Sequence, residues 1–208
     1  MNVPAGTYKN IIFDFGGVII NIDYNLTAKA FQQLGLDNFD ELFSKAKQSD
    51  LFDLYEKGLI TSAEFRARLK HILNVQVDDA QIDKAWNAML LDLPQERLDL
   101  LQKLKGTHRT FLLSNTNEIH IDTIWDSLRK DMGIADFTNY FEKVYLSYAV
   151  HMRKPDAGIF ELVLKENNLV PEETLFIDDS PQHIETAQKL GIHTYWLDVN
   201  KESILDLF

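Results

Sequence analysis

Asp14, Ser114, Asn115, Ser147, Asp178 and Asp179 share one feature: each stands where a short strand-like run stops. Ile11-Ile12-Phe13 runs into Asp14, the run 110–113 into Ser114 and Asn115, the run 144–146 into Ser147, and the run 175–177 into Asp178 and Asp179. Carboxylates gathered at one point repel one another unless a cation lies between them. An all-oxygen donor set suits a hard ion such as Mg²⁺ rather than zinc. Arg153 and Lys154, just ahead of Pro155, offer the positive charge that an anionic substrate needs. A carboxylate nucleophile, a hydroxyl, a lysine and a metal-binding acid pair together make a phosphoryl-transfer site. Each residue also has a plainer explanation. Asp14 is a common turn residue, and Ser114 with Asn115 suits a strand exit. Asp178 and Asp179 favour the positive end of a following helix. Arg153 can pair with a surface acid. His120 and His151 can be ordinary surface or loop histidines, although a near-neutral pKa makes either able to carry a proton.

What must hold these residues together is a sheet. A short continuous apolar run reads as a strand buried on both faces, and the glycine pair Gly16-Gly17 lets the chain turn close to a ligand. Strand-like runs at 11–13, 110–113, 144–146, 175–177 and 195–197 alternate with helical patterns at 95–105, 119–130 and 156–167, and with a helix opened by Ser180-Pro181 and ended at Gly191. Alternation of this kind implies α/β architecture, a parallel sheet with helices on both faces. All strands then end at one edge, the edge where open sheets bind ligands. Residues 21–93 carry no convincing strand. Phe31, Leu34, Leu42, Phe43, Ala46, Phe52 and Tyr55 recur at helical spacing, and Thr61 with Glu64 reads as a capping box opening a further helix. The expected organisation is a core from residues 1–20 and 94–208, interrupted by a helical bundle at 21–93. The bundle's aromatics are expected to form its own core.

The chain has 208 residues, is 45% hydrophobic, and carries a formal charge of −11. A core of useful size is therefore affordable. Nucleic acid and anionic membrane surfaces are disfavoured as partners by repulsion. With no cysteine, disulfides and thiolate metal sites are excluded. The first eight residues lack a basic region followed by an apolar core, and no stretch is long and apolar enough to span a bilayer. The expectation is a soluble cytoplasmic protein acting on a small molecule. The sequence gives no oligomeric state.

With these residues in view, the chain resembles haloacid dehalogenase-like (HAD) hydrolases over nearly its whole length, with all four motifs of that superfamily in order. Asp14 matches the first, Ser114 in Leu-Leu-Ser-Asn-Thr-Asn the second, Lys154 in Arg-Lys-Pro-Asp the third, and Asp178 and Asp179 in Phe-Ile-Asp-Asp-Ser the fourth. Within the superfamily, the residues around the first three motifs look most similar to bacterial α-D-glucose-1-phosphate phosphatases. The resemblance implies a Rossmann-like core, and a cap formed by residues 21–93 that closes over the site. It also implies a Mg²⁺-dependent phosphatase acting on a small phosphorylated metabolite, such as a hexose 1-phosphate. In that scheme Asp14 attacks phosphorus and becomes an aspartyl-phosphate. Asp14, the Gly16 carbonyl and Asp179 hold Mg²⁺, with Asp178 a ligand through water or an orienting neighbour. Ser114 and Asn115 donate to the phosphoryl group, and Lys154 ties that group to the nucleophile.

One position departs from the pattern. Most phosphatases of this kind carry a second Asp two places after the nucleophile to protonate the leaving oxygen. Here that position is Gly16. Either another group transfers the proton, with His120 and Asp23 as candidates, or the leaving group hardly needs it, as with the acidic anomeric oxygen of a sugar 1-phosphate. The remaining possibility is that the chain is no phosphatase: a metal-independent 2-haloacid dehalogenase using the same Asp, or a catalytically silent binding module.

Overall fold

The computed structural model describes residues 8–35 and 50–208. Leu42, Phe43 and Ala46, part of the helical pattern read from the sequence, lie outside the described residues. The described elements run β1 (Asn10–Phe13), α1 (Tyr24–Gln33), α2 (Leu51–Glu56), α3 (Ser62–Leu73), α4 (Asp79–Trp86), α5 (Gln95–Lys105), β2 (Arg109–Ser114), α6 (Glu118–Met132), β3 (Lys143–Leu146), α7 (Ser147–Val150), α8 (Ala157–Asn167), β4 (Thr174–Asp178), α9 (Pro181–Lys189) and β5 (His193–Trp196). The strands form one sheet in the order β3-β2-β1-β4-β5, and every neighbouring pair is parallel.

β1 is central because its side chains can be buried on both faces. Ile11 and Phe13 join Leu112, Leu175 and Ile177 beneath α5 and α6, whereas Ile12 joins Phe111, Leu113 and Phe176 beneath α8 and α9. Strand alternation sends successive residues to opposite faces, so a continuous apolar run feeds two cores. This is the Rossmann-like α/β arrangement expected from the sequence. The last strand is displaced from 195–197 to His193–Trp196, because pairing of Leu175 with His193 and Asp178 with Trp196 sets its register. It is an edge strand whose end residues are exposed, so its apolar run did not mark its limits.

Between the two linkers that leave and rejoin the sheet region, the described residues are mainly helical. Phe31, Tyr55, Phe65, Leu69, Ile82 and Trp86 form a separate apolar cluster. Tyr55 stacks on Phe65 at 4.1 Å between centroids, and Phe52 stacks on Trp86 at 5.3 Å. These aromatics are core, as their spacing suggested. The capping box closes as read: Thr61 accepts from the Glu64 N–H, and Glu64 accepts from the Thr61 N–H. The two connections to the sheet lie side by side. The Asn21 N–H donates to Asp92 O (2.9 Å), the Leu91 N–H to Asn21 O (3.0 Å), and the Asp23 N–H to Met89 O (2.9 Å). This antiparallel ribbon has no apolar run to announce it.

Candidate active site

Asp14 follows β1 directly, and its N–H continues the ladder by donating to Ile177 O at 2.9 Å. That bond sets the Asp14 side chain beside the end of β4, where Asp178 and Asp179 emerge. Carboxylate oxygens of the three acids lie within 4.8 Å of one another. Gly17 makes the closeness possible. Its φ is +76°, and a Cβ there would sit 2.7 Å from Asp179 Oδ2, so no larger residue fits without displacing that acid.

Lys154 reaches this cluster with no exposed surface of its own. Its Nζ donates to Asp14 Oδ1 at 2.6 Å and to Asp178 Oδ2 at 2.7 Å. Asn115, at the end of β2, fixes the lysine's backbone. The Lys154 N–H donates to Asn115 Oδ1 (2.8 Å), and Asn115 Nδ2 donates to Lys154 O (2.7 Å). The Asn115 side-chain amide is therefore committed to holding the 153–155 loop. Ser114 is buried, and among the described residues its hydroxyl has only a long 3.5 Å contact with Asn115 O. Ser147 does not reach the acids. It begins α7, fully buried, where its Oγ accepts from the Thr116 N–H and donates to Thr116 O, both at 2.9 Å, strapping two loops together.

His183 belongs to the cluster although the sequence reading passed over it. Its Nδ1 lies 2.9 Å and 3.0 Å from the two oxygens of Asp178. The signal was its place in the first turn of α9, five residues beyond Asp178. Asp178 Oδ1 also accepts from the Ser180 N–H at 2.7 Å. The carboxylate thus caps the start of α9, while the Ser180 side chain, at the cap position, makes no such bond.

The charges are unequal. Burial, with Asp178 and Asp179 adding to it against the pull of Lys154, pushes the Asp14 carboxyl up to about 7. Burial alone would raise Asp178 too, but Lys154 and His183 outweigh it and hold Asp178 below the usual carboxylate range. Burial and Asp178 raise Asp179. Burial works against the Lys154 ammonium, yet Asp14 and Asp178 keep its pKa above the ordinary lysine value. One lysine does not neutralise three crowded acids. The donors around Asp14 and Asp179 are all oxygens, so a hard divalent cation fits them.

The sequence candidates for the missing proton carrier are engaged elsewhere. Asp23 is the N-cap of α1 and accepts from the Asn25 N–H. His120 is buried, stacked on Trp86 at 5.3 Å, with Nδ1 2.7 Å from Asn87 Oδ1. Asn87 Nδ2 donates to Thr123 Oγ1, which leaves Oδ1 as the acceptor, so His120 Nδ1 carries the hydrogen. Burial drives His120 down to about 3, and it stays neutral. His151 Nδ1 donates to Lys57 O (2.9 Å). Arg153 pairs with Asp53 and Glu56 of α2 at 3.3 Å and 3.0 Å, as its plainer reading had it.

Comparison with known proteins places this arrangement. The chain is 33% identical over 187 residues to a D-ribitol-5-phosphate phosphatase of Bacteroides thetaiotaomicron, covering 90% of each protein. It superposes with a TM-score of 0.83 and 42% identity on a HAD family enzyme of the same organism solved with magnesium and inorganic phosphate, covering 94% of this chain and 96% of that one. A HAD-like hydrolase of Porphyromonas gingivalis gives a TM-score of 0.82 at 32% identity over 92% and 91% of the two chains. The profile of haloacid dehalogenase-like hydrolases matches residues 11–197, and the chain belongs to that family.

Proposed function

We propose that this protein is a Mg²⁺-dependent phosphatase that hydrolyses the phosphate monoester of a small polyhydroxylated metabolite. The observation that carries the reading is Lys154 bridging Asp14 and Asp178 beside Asp179, at the carboxyl edge of the sheet. The relatives add weight: one is a sugar-alcohol phosphate phosphatase, and another binds magnesium with phosphate.

Asp14, the Gly16 carbonyl and Asp179 would hold the Mg²⁺, with Asp178 an indirect ligand or an orienting neighbour. Bound there, the ion supplies charge stabilisation for the phosphoryl oxygens and favours the ionised Asp14. Everything else falls to the chain itself. A carboxylate oxygen of Asp14 attacks phosphorus in line, the leaving oxygen takes up a proton from water as its bond to phosphorus breaks, and an aspartyl-phosphate forms. Lys154 ties the phosphoryl group to the nucleophile, and the Ser114 hydroxyl donates to a phosphoryl oxygen. Asn115 contributes by placing Lys154. Water then attacks phosphorus, releasing phosphate and restoring Asp14. Segment 21–93 serves as a cap, with the paired linkers at 21–23 and 89–92 as its hinge.

A screen of phosphate monoesters with and without EDTA tests the reading. Hydrolysis of polyol or sugar phosphates that disappears with EDTA and in Asp14→Asn supports it. EDTA-resistant, Asp14-dependent release of halide from 2-haloacids would establish the dehalogenase alternative instead. Absence of any turnover, together with no binding of beryllium fluoride in the presence of Mg²⁺, would establish the silent module.

A further inference from the structure

Two of the three acids are held by their own side chains. Asp14 accepts from Lys154, and Asp178 accepts from Lys154 and from the Ser180 N–H and stands 2.9 Å from His183 Nδ1. The Asp179 carboxylate accepts no hydrogen bond from another residue among the described residues. Its oxygens are left for a cation, so whatever places them must act through the Asp179 backbone. The ladder between β4 and β5 stops one residue short of it. Asp178 pairs with Trp196, and the Leu197 N–H donates to Asp178 O at 3.0 Å. Beyond that bond, no main-chain N–H among the described residues reaches Asp179 O. A side chain takes it instead: Trp196 Nε1 donates to Asp179 O at 2.9 Å. An indole nitrogen is a donor only. Trp196 is 48% exposed at the end of an edge strand, so burial does little to fix its ring. The hydrogen bond accounts for its position better. The chain beyond β5 comes to the same spot. A Cβ on Gly17 would stand 3.4 Å from Val199 Cγ1 and 2.7 Å from Asp179 Oδ2. Asp179 is thus tied by its carbonyl to β5, while its carboxylate lies against Gly17, within reach of Asp14.

We propose that Trp196 is a positioning residue for the metal ion, acting through Asp179. By holding the Asp179 carbonyl, the indole keeps the carboxylate beside Asp14 before the ion arrives. Ordering a ligand group in advance removes part of the entropic cost of binding. The donor is a residue of the edge strand, so the strand's end contributes to the site although none of its side chains is acidic. This rests on the Mg²⁺-dependent phosphatase reading above.

The test reads the Kd for Mg²⁺ from the dependence of melting temperature on Mg²⁺ concentration in metal-stripped protein, without substrate. Trp196→Phe keeps an aromatic ring and removes the donor. Removing a group that orients a metal ligand weakens metal binding by about tenfold, and a rise of that size in Kd is expected. At saturating Mg²⁺, kcat with p-nitrophenyl phosphate should return to within about twofold of wild type, because the lost interaction serves ion binding and not the reacting atoms. Gln188→Ala is the matched control. It removes the Gln188 Nε2 bond to Thr194 Oγ1 (2.8 Å), another tie to β5, and should move the Kd by less than about twofold. An unchanged Kd in Trp196→Phe overturns the proposal. So does an equal rise in Gln188→Ala, which would make the effect a general loosening of β5. A kcat deficit in Trp196→Phe that excess Mg²⁺ does not repair overturns it as well. Trp196→Leu, which lacks the same donor, takes its place if Trp196→Phe does not fold. Failure of the phosphatase reading shows differently, as a wild-type protein that neither binds Mg²⁺ nor hydrolyses a phosphate monoester, and it removes this proposal too.

Discussion

Lys154 has no exposed surface and donates to two carboxylates. Replacing it with Met leaves Asp14 and Asp178 buried and facing each other without a cation of the chain's own. Breaking a buried pair from one side costs about 3–5 kcal/mol. Lys154→Met is therefore expected to lose turnover and that much stability in denaturant unfolding. Asp14→Asn acts in the opposite direction on stability. A carboxyl raised from 3.8 to about 7 binds its proton more tightly when folded, so its contribution is full below about pH 4 and drains away as pH rises through about 7. The metal-free wild type should lose stability across that window, Mg²⁺ should protect more at pH 8 than at pH 5, and Asp14→Asn should show a flatter profile. Melting curves at several pH values, with EDTA or Mg²⁺, check all three. Gly16 is open to substitution by backbone conformation, and among the described residues a Cβ there meets the Ile22 side chain, Cδ1 at 3.1 Å and Cγ2 at 4.0 Å. Gly16→Asp should fold. If the missing acid limits the enzyme, hydrolysis of primary-alkyl phosphates by this variant should rise relative to aryl phosphates. An unchanged ratio would mean that the proton comes from elsewhere.

At the scale of elements, the parts legible in the sequence are those built on burial. β1, β2 and β4 are continuous apolar runs because both their faces are covered, and the polar residue ending each run is the one at the catalytic edge. Asp14, Asp178 and Asp179 could be picked out because a buried strand sets them off, and Lys154 by its place beside Arg153 just ahead of Pro155. The rest was hidden where tertiary bonds decide. The pairing of the Asn115 side-chain amide with Lys154, 39 residues away, has no local signal. His183 carries no pattern of its own and matters only because α9 starts against Asp178. The linker ribbon is held by main-chain bonds that no side chain announces. Gly58 shows the same limit. Its φ is +61°, and a Cβ there would stand 2.2 Å from Tyr148 O, so only glycine lets the end of α2 approach α7. Gly58→Ala should therefore destabilise the protein by more than the roughly 1 kcal/mol that positive φ alone costs. A denaturant midpoint no lower than wild type would contradict this close approach.

Across the whole molecule, the site is defined by chemistry rather than by volume. A cavity of about 890 Å³ lies at the amino-terminal edge of the sheet, lined by Lys9, Asn10, Lys103 and Arg109 among others, on the far side from the acids. The acids instead stand at the carboxyl edge, where Arg153 pairs with Glu56 of α2 and His151 donates to Lys57 O. No described helix is long and apolar enough to cross a membrane. With a formal charge of −11, a local cation matters more for an anionic substrate than the field of the whole chain, which repels it.

The account depends on Asp14 taking the phosphoryl group. Acid quenching during turnover of a pentitol phosphate with Mg²⁺, followed by peptide mapping, measures this directly. The phosphoryl group is expected on the peptide containing Asp14, absent with EDTA, and absent in Asp14→Asn together with turnover. A phosphoryl group on another residue, or continued hydrolysis by Asp14→Asn, would contradict it.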